Sequence, residues 1–164
     1  LAGNILLLSK IEHQSIQTRQ NWYRLDEQIR QSIVMMEPKW SEKEIEFDVD
    51  MMEVEYIGNE NLICHVWDNL LSNAIKFSPC GGTIYIRMMP EGEKIRFSIE
   101  NEGPQISEYS MKHIFDKFYQ GDSSHKQEGN GLGLALVKQI LNLCMGTVSV
   151  ENIPGSGCRF TVIL

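Results

Sequence analysis

Apolar residues recur at helical spacing most strongly between Glu60 and Phe77, where Ile63, Val66, Trp67, Leu70, Ala74 and Phe77 share one side of a helical wheel. A helix over 60–77 with a core-facing stripe is predicted, ended by the breakers Ser78-Pro79-Cys80-Gly81-Gly82. Along the flank of that stripe stand Asn69, Asn73 and Lys76, spaced four and three apart and so stacked on one side. Two further helices follow from the same period. Leu25, Ile29, Ile33 and Met36 repeat until Pro38 and predict a helix over 26–37, and Leu132 to Met145 predicts another. Strict alternation marks strands at Ile45–Val49, Thr83–Met89, Lys94–Asn101, Thr147–Asn152 and Cys158–Ile163, with shorter ones expected at Arg19–Tyr23 and around Tyr56-Ile57. Pro90-Glu91-Gly92 and Pro154-Gly155-Ser156-Gly157 are the expected hairpin turns.

Between Glu102 and Gly131 the periodicity dissolves, apart from a helical patch from Glu108 to Phe118. A connection of that length in a compact domain is a functional lid or a disordered segment. At the other end, Ile5-Leu6-Leu7-Leu8-Ser9-Lys10-Ile11 reads as the end of an amphipathic helix whose beginning is missing, and residue 1 is Leu rather than Met. The chain is therefore expected to be a piece of a larger protein.

Composition narrows the function classes. A chain of 164 residues, 42% hydrophobic and 23% charged, suits one globular domain. Its net charge of -7 argues against nucleic acid as the main partner, because a phosphate backbone needs clustered Lys and Arg. Cys64, Cys80, Cys144 and Cys158 form no C-x-x-C pair and no metal spacing, so free thiols of a reducing cytoplasm are expected. No apolar run is long enough for a membrane span.

Two stretches carry candidate chemistry. Gly129-Asn130-Gly131-Leu132-Gly133-Leu134 runs into a helix, and glycines before exposed helical N–H groups suit an anion. The spacing is G-x-G-x-G with no strand before it, unlike a dinucleotide fingerprint. Asn69 and Asn73 are costly in a helix interior, and amide oxygens are hard ligands fit for Mg²⁺ beside a nucleotide. Lys76 could hold a phosphate as a point charge. Taken alone, the flank reads rather as solvent-facing amides and a surface lysine.

Together, Asn69-Leu70-Leu71-Ser72-Asn73-Ala74-Ile75-Lys76-Phe77, Asn101-Glu102-Gly103, Ile114-Phe115-Asp116-Lys117-Phe118-Tyr119 and the 129–134 glycine run stand in one order. They resemble the N, G1, F and G2 boxes of the catalytic, ATP-binding domain of bacterial two-component sensor histidine kinases, within the GHKL superfamily. The resemblance covers roughly residues 19–164, and residues 1–18 resemble the end of the preceding dimerisation-domain helix and its linker.

That resemblance implies a Bergerat-type fold: a two-layer α/β sandwich with a mixed, mostly antiparallel sheet of about five strands, three main helices on one face, and an ATP lid. It implies ATP and Mg²⁺ as cofactors, Asn73 as the metal ligand with Asn69 assisting, and Asn69 and Lys76 as the catalytic pair. Phe77 would cover the adenine, and Asn101, where the family commonly has Asp, would accept its amino group. Gly103, Ile106, Phe118, Gly129, Gly131, Leu132, Gly133, Leu134 and Thr161 complete the implied nucleotide site. Gln105 stands at the second glycine of G1, where a side chain is expected to strain a glycine-only backbone. Lys126 and His125 of the lid are weighed as γ-phosphate contacts against solvated loop charges, the second being favoured.

Members of the superfamily that hydrolyse ATP carry Glu four residues before the metal-binding Asn, where this chain has Asn69. The implied function is donation of the γ-phosphoryl group to a histidine on the dimerisation domain, which none of His13, His65, His113 or His125 resembles. Implied partners are that domain and a response regulator, the parent being a membrane-anchored homodimer. Alternatives are an ATP-responsive or weakly active module, or a serine-protein kinase of the anti-sigma type.

Overall fold

A computed structural model describes residues 2–13, 19–121 and 131–164. In chain order the elements are α1 (Ala2–Glu12), β1 (Asn21–Arg24), α2 (Leu25–Met35), α3 (Glu37–Glu42), β2 (Glu46–Met51), β3 (Glu55–Gly58) and α4 (Glu60–Phe77). After them come β4 (Thr83–Glu91), β5 (Lys94–Asn101), α5 (Glu108–His113), α6 (Gly133–Leu143), β6 (Thr147–Asn152) and β7 (Cys158–Ile163).

Five strands form one sheet in the order β2-β4-β5-β7-β6, with β2 parallel to β4 and every other pairing antiparallel. Its register sets two faces. Met88, Phe97, Val162 and Val148 align across one face, as do Ile86, Ile99, Phe160 and Val150, and these rows build the core under the helices. The alternate rows carry Asp48, Tyr85, Glu100, Arg159 and Glu151 on the open face. Burying one row in two is what the period-2 pattern requires.

Helix α4 crosses this core with Ile63, Val66, Trp67 and Leu70 at most 1% exposed. Trp67 packs on Phe97 at 4.7 Å between ring centroids, and its indole N–H is satisfied by Gln28 Oε1 at 2.8 Å. Gln28 donates in turn to the Glu60 carbonyl at 2.8 Å, which docks α2 beside the start of α4. Asn59 caps α4 by accepting from Leu62 N at 3.1 Å. The expected two-layer sandwich, with three main helices on one side of a mixed five-stranded sheet, is what forms.

Three local expectations are corrected, and the two short strands expected before α4 both form. Pro38 does not merely stop α2: the chain breaks at Met36, and Pro38 occupies the first turn of the separate helix α3, where its missing N–H costs nothing. β1 and β3 pair only with each other, antiparallel, as a small second sheet. Pro90 and Glu91 stay in the β4–β5 ladder, and the reversal falls at Gly92 with φ +65°. β2 is last paired at Met88, so the missing Pro90 N–H leaves no bond unmade on that side. The helical patch at 108–118 stops at His113, and Phe118 has φ +62°, outside any right-handed helix.

The β1–β3 sheet and α2 are joined through Asp26, whose side chain is fully buried. It accepts from Arg24 at 2.9 and 2.7 Å, from Arg30 at 2.6 Å and from Val54 N at 3.2 Å, while Leu25 N donates to Val54 O at 2.9 Å. The Arg24 guanidinium above all holds the Asp26 carboxyl well below the usual carboxylate range, against the opposing effect of burial.

Candidate ATP site

Asn69, Asn73 and Lys76 are half-buried along one flank of α4, as their spacing predicts. The Asn69 Nδ2 donates to the His65 carbonyl at 2.7 Å, which fixes the amide orientation and turns Oδ1 toward the start of α6. Gly133, the first residue of α6, lies against that oxygen: a Cβ there would stand 2.8 Å from it. The N box and the last glycine of G2, 64 positions apart, thus meet directly, a juxtaposition resting on α4 packing beside α6.

Among the described residues the start of α6 has no side-chain cap, its first turn carries no acidic residue, and Leu132 stands at the N-cap position. Its first N–H groups therefore offer partial positive charge to an anion. The Asn73 side chain makes no hydrogen bond among the described residues, and Lys76 has no acidic partner among them. Lys76 lies over the Phe77 ring, Nζ 5.2 Å from its centroid, and burial pulls the ammonium below the usual lysine value. A half-buried cation that has no counter-charge among the described residues, on the same helix flank as a side-chain amide with no partner among them, is poised for an external anion.

The G1 segment closes on the other end of α4. Gly103 has φ +131°, and a Cβ on it would stand 2.5 Å from the Phe77 carbonyl oxygen. A side chain there would push the end of the helix away. Asn101, 3% exposed, donates from Nδ2 to the Glu102 carbonyl at 2.9 Å and presents Oδ1 to the Cys158 thiol, 3.7 Å away. The strain expected at Gln105 does not arise. Its φ is not positive, and its side chain donates to the Ile153 carbonyl at 2.8 Å. Ile106 beside it exchanges two 2.8 Å bonds with the Asn152 amide, tying G1 to the end of β6.

The two aromatic marks of the F box part company. Phe115 turns inward, edge-on to Phe160 at 6.2 Å, whereas Phe118 is 67% exposed. Phe118 N donates to Gly131 O at 3.1 Å, and a Cβ on Gly131 would stand 2.7 Å from Tyr119 O, so F and G2 abut. Leu132 is buried and Leu134 packs against the core. Gly129, Asn130, His125 and Lys126 lie outside the described residues.

Thr161 is not brought to this site. It sits between the core residues Phe160 and Val162 and pairs with Ser98 and Ser149, so strand alternation turns its side chain to the opposite sheet face. Cys158 takes that place instead, directly across from Asn101, with burial pushing its thiol up to about 11. Gly157 is a second residue the sequence reading missed. It has φ +81°, donates to Gly103 O at 2.9 Å, and has no room for a side chain against Asn101 O. The Gly155-Ser156-Gly157 spacing was the available signal, read only as a turn.

Helix α1 lies across the phosphate end. Asn4 Nδ2 reaches Asn69 Oδ1 at 3.4 Å, Glu12 pairs with Lys117, and Ile5, Leu8, Phe118 and Leu132 enclose part of a hollow of about 160 Å³.

Residues 58–164 match the family described as histidine kinase-, DNA gyrase B- and HSP90-like ATPases. Among curated relatives, the heme sensor protein HssS of Staphylococcus saprophyticus is 32% identical over 162 residues, covering 99% of this chain and 35% of its own. The circadian input-output histidine kinase CikA of Synechococcus elongatus is 32% identical over 168 residues, 99% of this chain and 22% of its own. The chain thus spans about a third or less of their length. The mycobacterial sensor histidine kinase MprB superposes with a TM-score of 0.80 at 26% identity, over 89% of this chain and 97% of that one. The catalytic domain of the histidine kinase ThkA gives a TM-score of 0.80 at 28% identity, over 89% and 95%. The chain belongs to the family of histidine kinase-, DNA gyrase B- and HSP90-like ATPases, as an ATP-binding catalytic domain of the sensor histidine kinase kind.

Proposed function

We propose that this domain binds Mg·ATP and donates the γ-phosphoryl group to a histidine on a dimerisation domain, in two-component signalling. The observation that carries this reading is the convergence of the α6 N-terminus, an Asn69 amide oxygen against Gly133, and, among the described residues, an Asn73 side-chain amide without a hydrogen-bond partner and a Lys76 ammonium without an acidic one.

Magnesium fits the donor set. Neutral amide oxygens suit a hydrated cation that arrives already bound to phosphates. Asn73 would hold it with Asn69 assisting, and when bound it neutralises charge on the triphosphate. The chain's own groups do the rest. Lys76 binds a phosphate oxygen, the α6 N–H groups and the Gly131 and Gly133 backbone cradle the polyphosphate, and Phe77 and Asn101 take the base, with Gly103, Ile106 and Leu134 shaping its surroundings. Catalysis is then positioning and charge neutralisation, with water kept out by the lid containing Phe118 and Gly129. Asn69 is too weakly basic to activate water, which supports transfer over hydrolysis.

Residues 1–18, with helix α1, are proposed as the end of the dimerisation domain and its linker; the packing of α1 on α6 and its bond to Asn69 support that assignment. The parent is then a membrane-anchored homodimer with this domain in the cytoplasm, serving a response regulator. Likeness to sensor kinases supports this, and among the described residues no helix is long and apolar enough to cross a membrane. Titration with a fluorescent ATP analogue tests the site: Mg²⁺-dependent binding is expected, and its absence at millimolar nucleotide contradicts the reading.

A further inference from the structure

Lys43 lies in the turn between α3 and β2, outside the residues 58–164 that carry the family match. Its Nζ donates to three main-chain carbonyls at the end of α4: Ile75 O at 2.7 Å, Lys76 O at 3.2 Å and Ser78 O at 2.6 Å. An ammonium has three donors, and here all three are used.

A helix leaves its last four carbonyls without intrahelical partners. In α4 three of the four are hydrogen-bonded. Ala74 O takes Ser78 N at 3.0 Å and Ser78 Oγ at 2.7 Å, Lys43 takes Ile75 O and Lys76 O, and Phe77 O faces Gly103. The same turn carries Lys76, whose ammonium has no acidic partner among the described residues, and Phe77 beneath it. Lys43 is itself held in place. Its carbonyl accepts from Gly81 N at 2.8 Å, Glu46 N donates to Gly82 O at 3.0 Å, and the chain reverses at Glu44 with φ +54°.

We propose that Lys43 is a positioning residue for nucleotide phosphate: by fixing the Ile75, Lys76 and Ser78 carbonyls it sets the backbone from which Lys76 reaches the phosphates. The proposal rests on the reading of Lys76 as a phosphate contact. A cation at a helix C-terminus also adds stability. The positioning effect differs, because carbonyls freed from Lys43 turn toward water or tighten the last turn, and both movements shift the Lys76 backbone.

The test is a double-mutant cycle on the 164-residue chain, reading Mg²⁺-dependent binding of a fluorescent ATP analogue well below the melting temperature of each variant. Lys43→Met is expected to weaken binding about fivefold or more in the unchanged background and less than about twofold in Lys76→Met, since coupled residues are not additive. Lys43→Gln keeps part of the donor capacity; it is expected to fall between, and it carries the cycle if Lys43→Met does not fold. Binding by folded Lys43 variants equal to the unchanged chain overturns the proposal, as does an equal loss in both backgrounds, the signature of a structural role alone. If Lys43→Met weakens binding while the Lys76→Met single variant binds as tightly as the unchanged chain, the proposal is overturned too, and the reading of Lys76 falls with it.

Discussion

The α-carbon of Gly133 faces the side-chain oxygen of Asn69 so closely that a Cβ at 133 would stand 2.8 Å from it. Gly133→Ala therefore separates folding from function. The helix tolerates Ala, so denaturant unfolding is expected within about 1 kcal/mol of the unchanged chain. The Asn69 amide must yield, and nucleotide affinity or transfer rate should fall by about tenfold. Unchanged binding in Gly133→Ala would remove Asn69 from the site.

The Asn73 side chain makes no hydrogen bond among the described residues, so Asn73→Ala costs the fold little, within about 0.5 kcal/mol. Phosphotransfer to a histidine-bearing domain should drop by about a hundredfold or more, as for loss of a charge-stabilising group. Retained transfer would mean that Asn73 is not the metal ligand.

Asp26 governs stability rather than chemistry. Its depressed pKa means that its contribution is fully present above the unfolded value of about 3.9 and is lost as pH falls through the folded value. At pH 7, Asp26→Ala should cost about 2 to 3 kcal/mol, the range for hydrogen bonds to a charged group. Urea unfolding at falling pH checks the sign: the gap between the two proteins should narrow below pH of about 4.

Gln105 has no positive φ, so restoring glycine there should bring no relief. Gln105→Gly gives up the bond to Ile153 O and frees the unfolded chain, an expected loss of about 1 kcal/mol. Nucleotide affinity should stay within about twofold, measured by the same titration.

Local pattern made most of the architecture legible. α4, β5, β6 and β7 begin and end where periodicity and breakers put them, because burial of one face imposes period 3.6 or 2 on the sequence. The N-box flank was legible for the same reason. Relations set by tertiary contact were not. No local signal tells that β1 and β3 pair only with each other, that Thr161 faces away while Cys158 faces Asn101, or that Gly157 closes on Asn101. Those depend on register between distant strands. Lys43 was invisible because its three partners are backbone carbonyls, which leave no trace in side-chain identity.

The central claim is that this domain donates phosphoryl groups to histidine. Incubation of the chain with γ-labelled ATP, Mg²⁺ and a separately made histidine-bearing dimerisation domain measures it directly. Acid-labile label appearing on that domain, dependent on Mg²⁺ and lost with Asn73→Ala, is the predicted result; acid-stable label on serine, or free phosphate released without any label on the histidine domain, would contradict it.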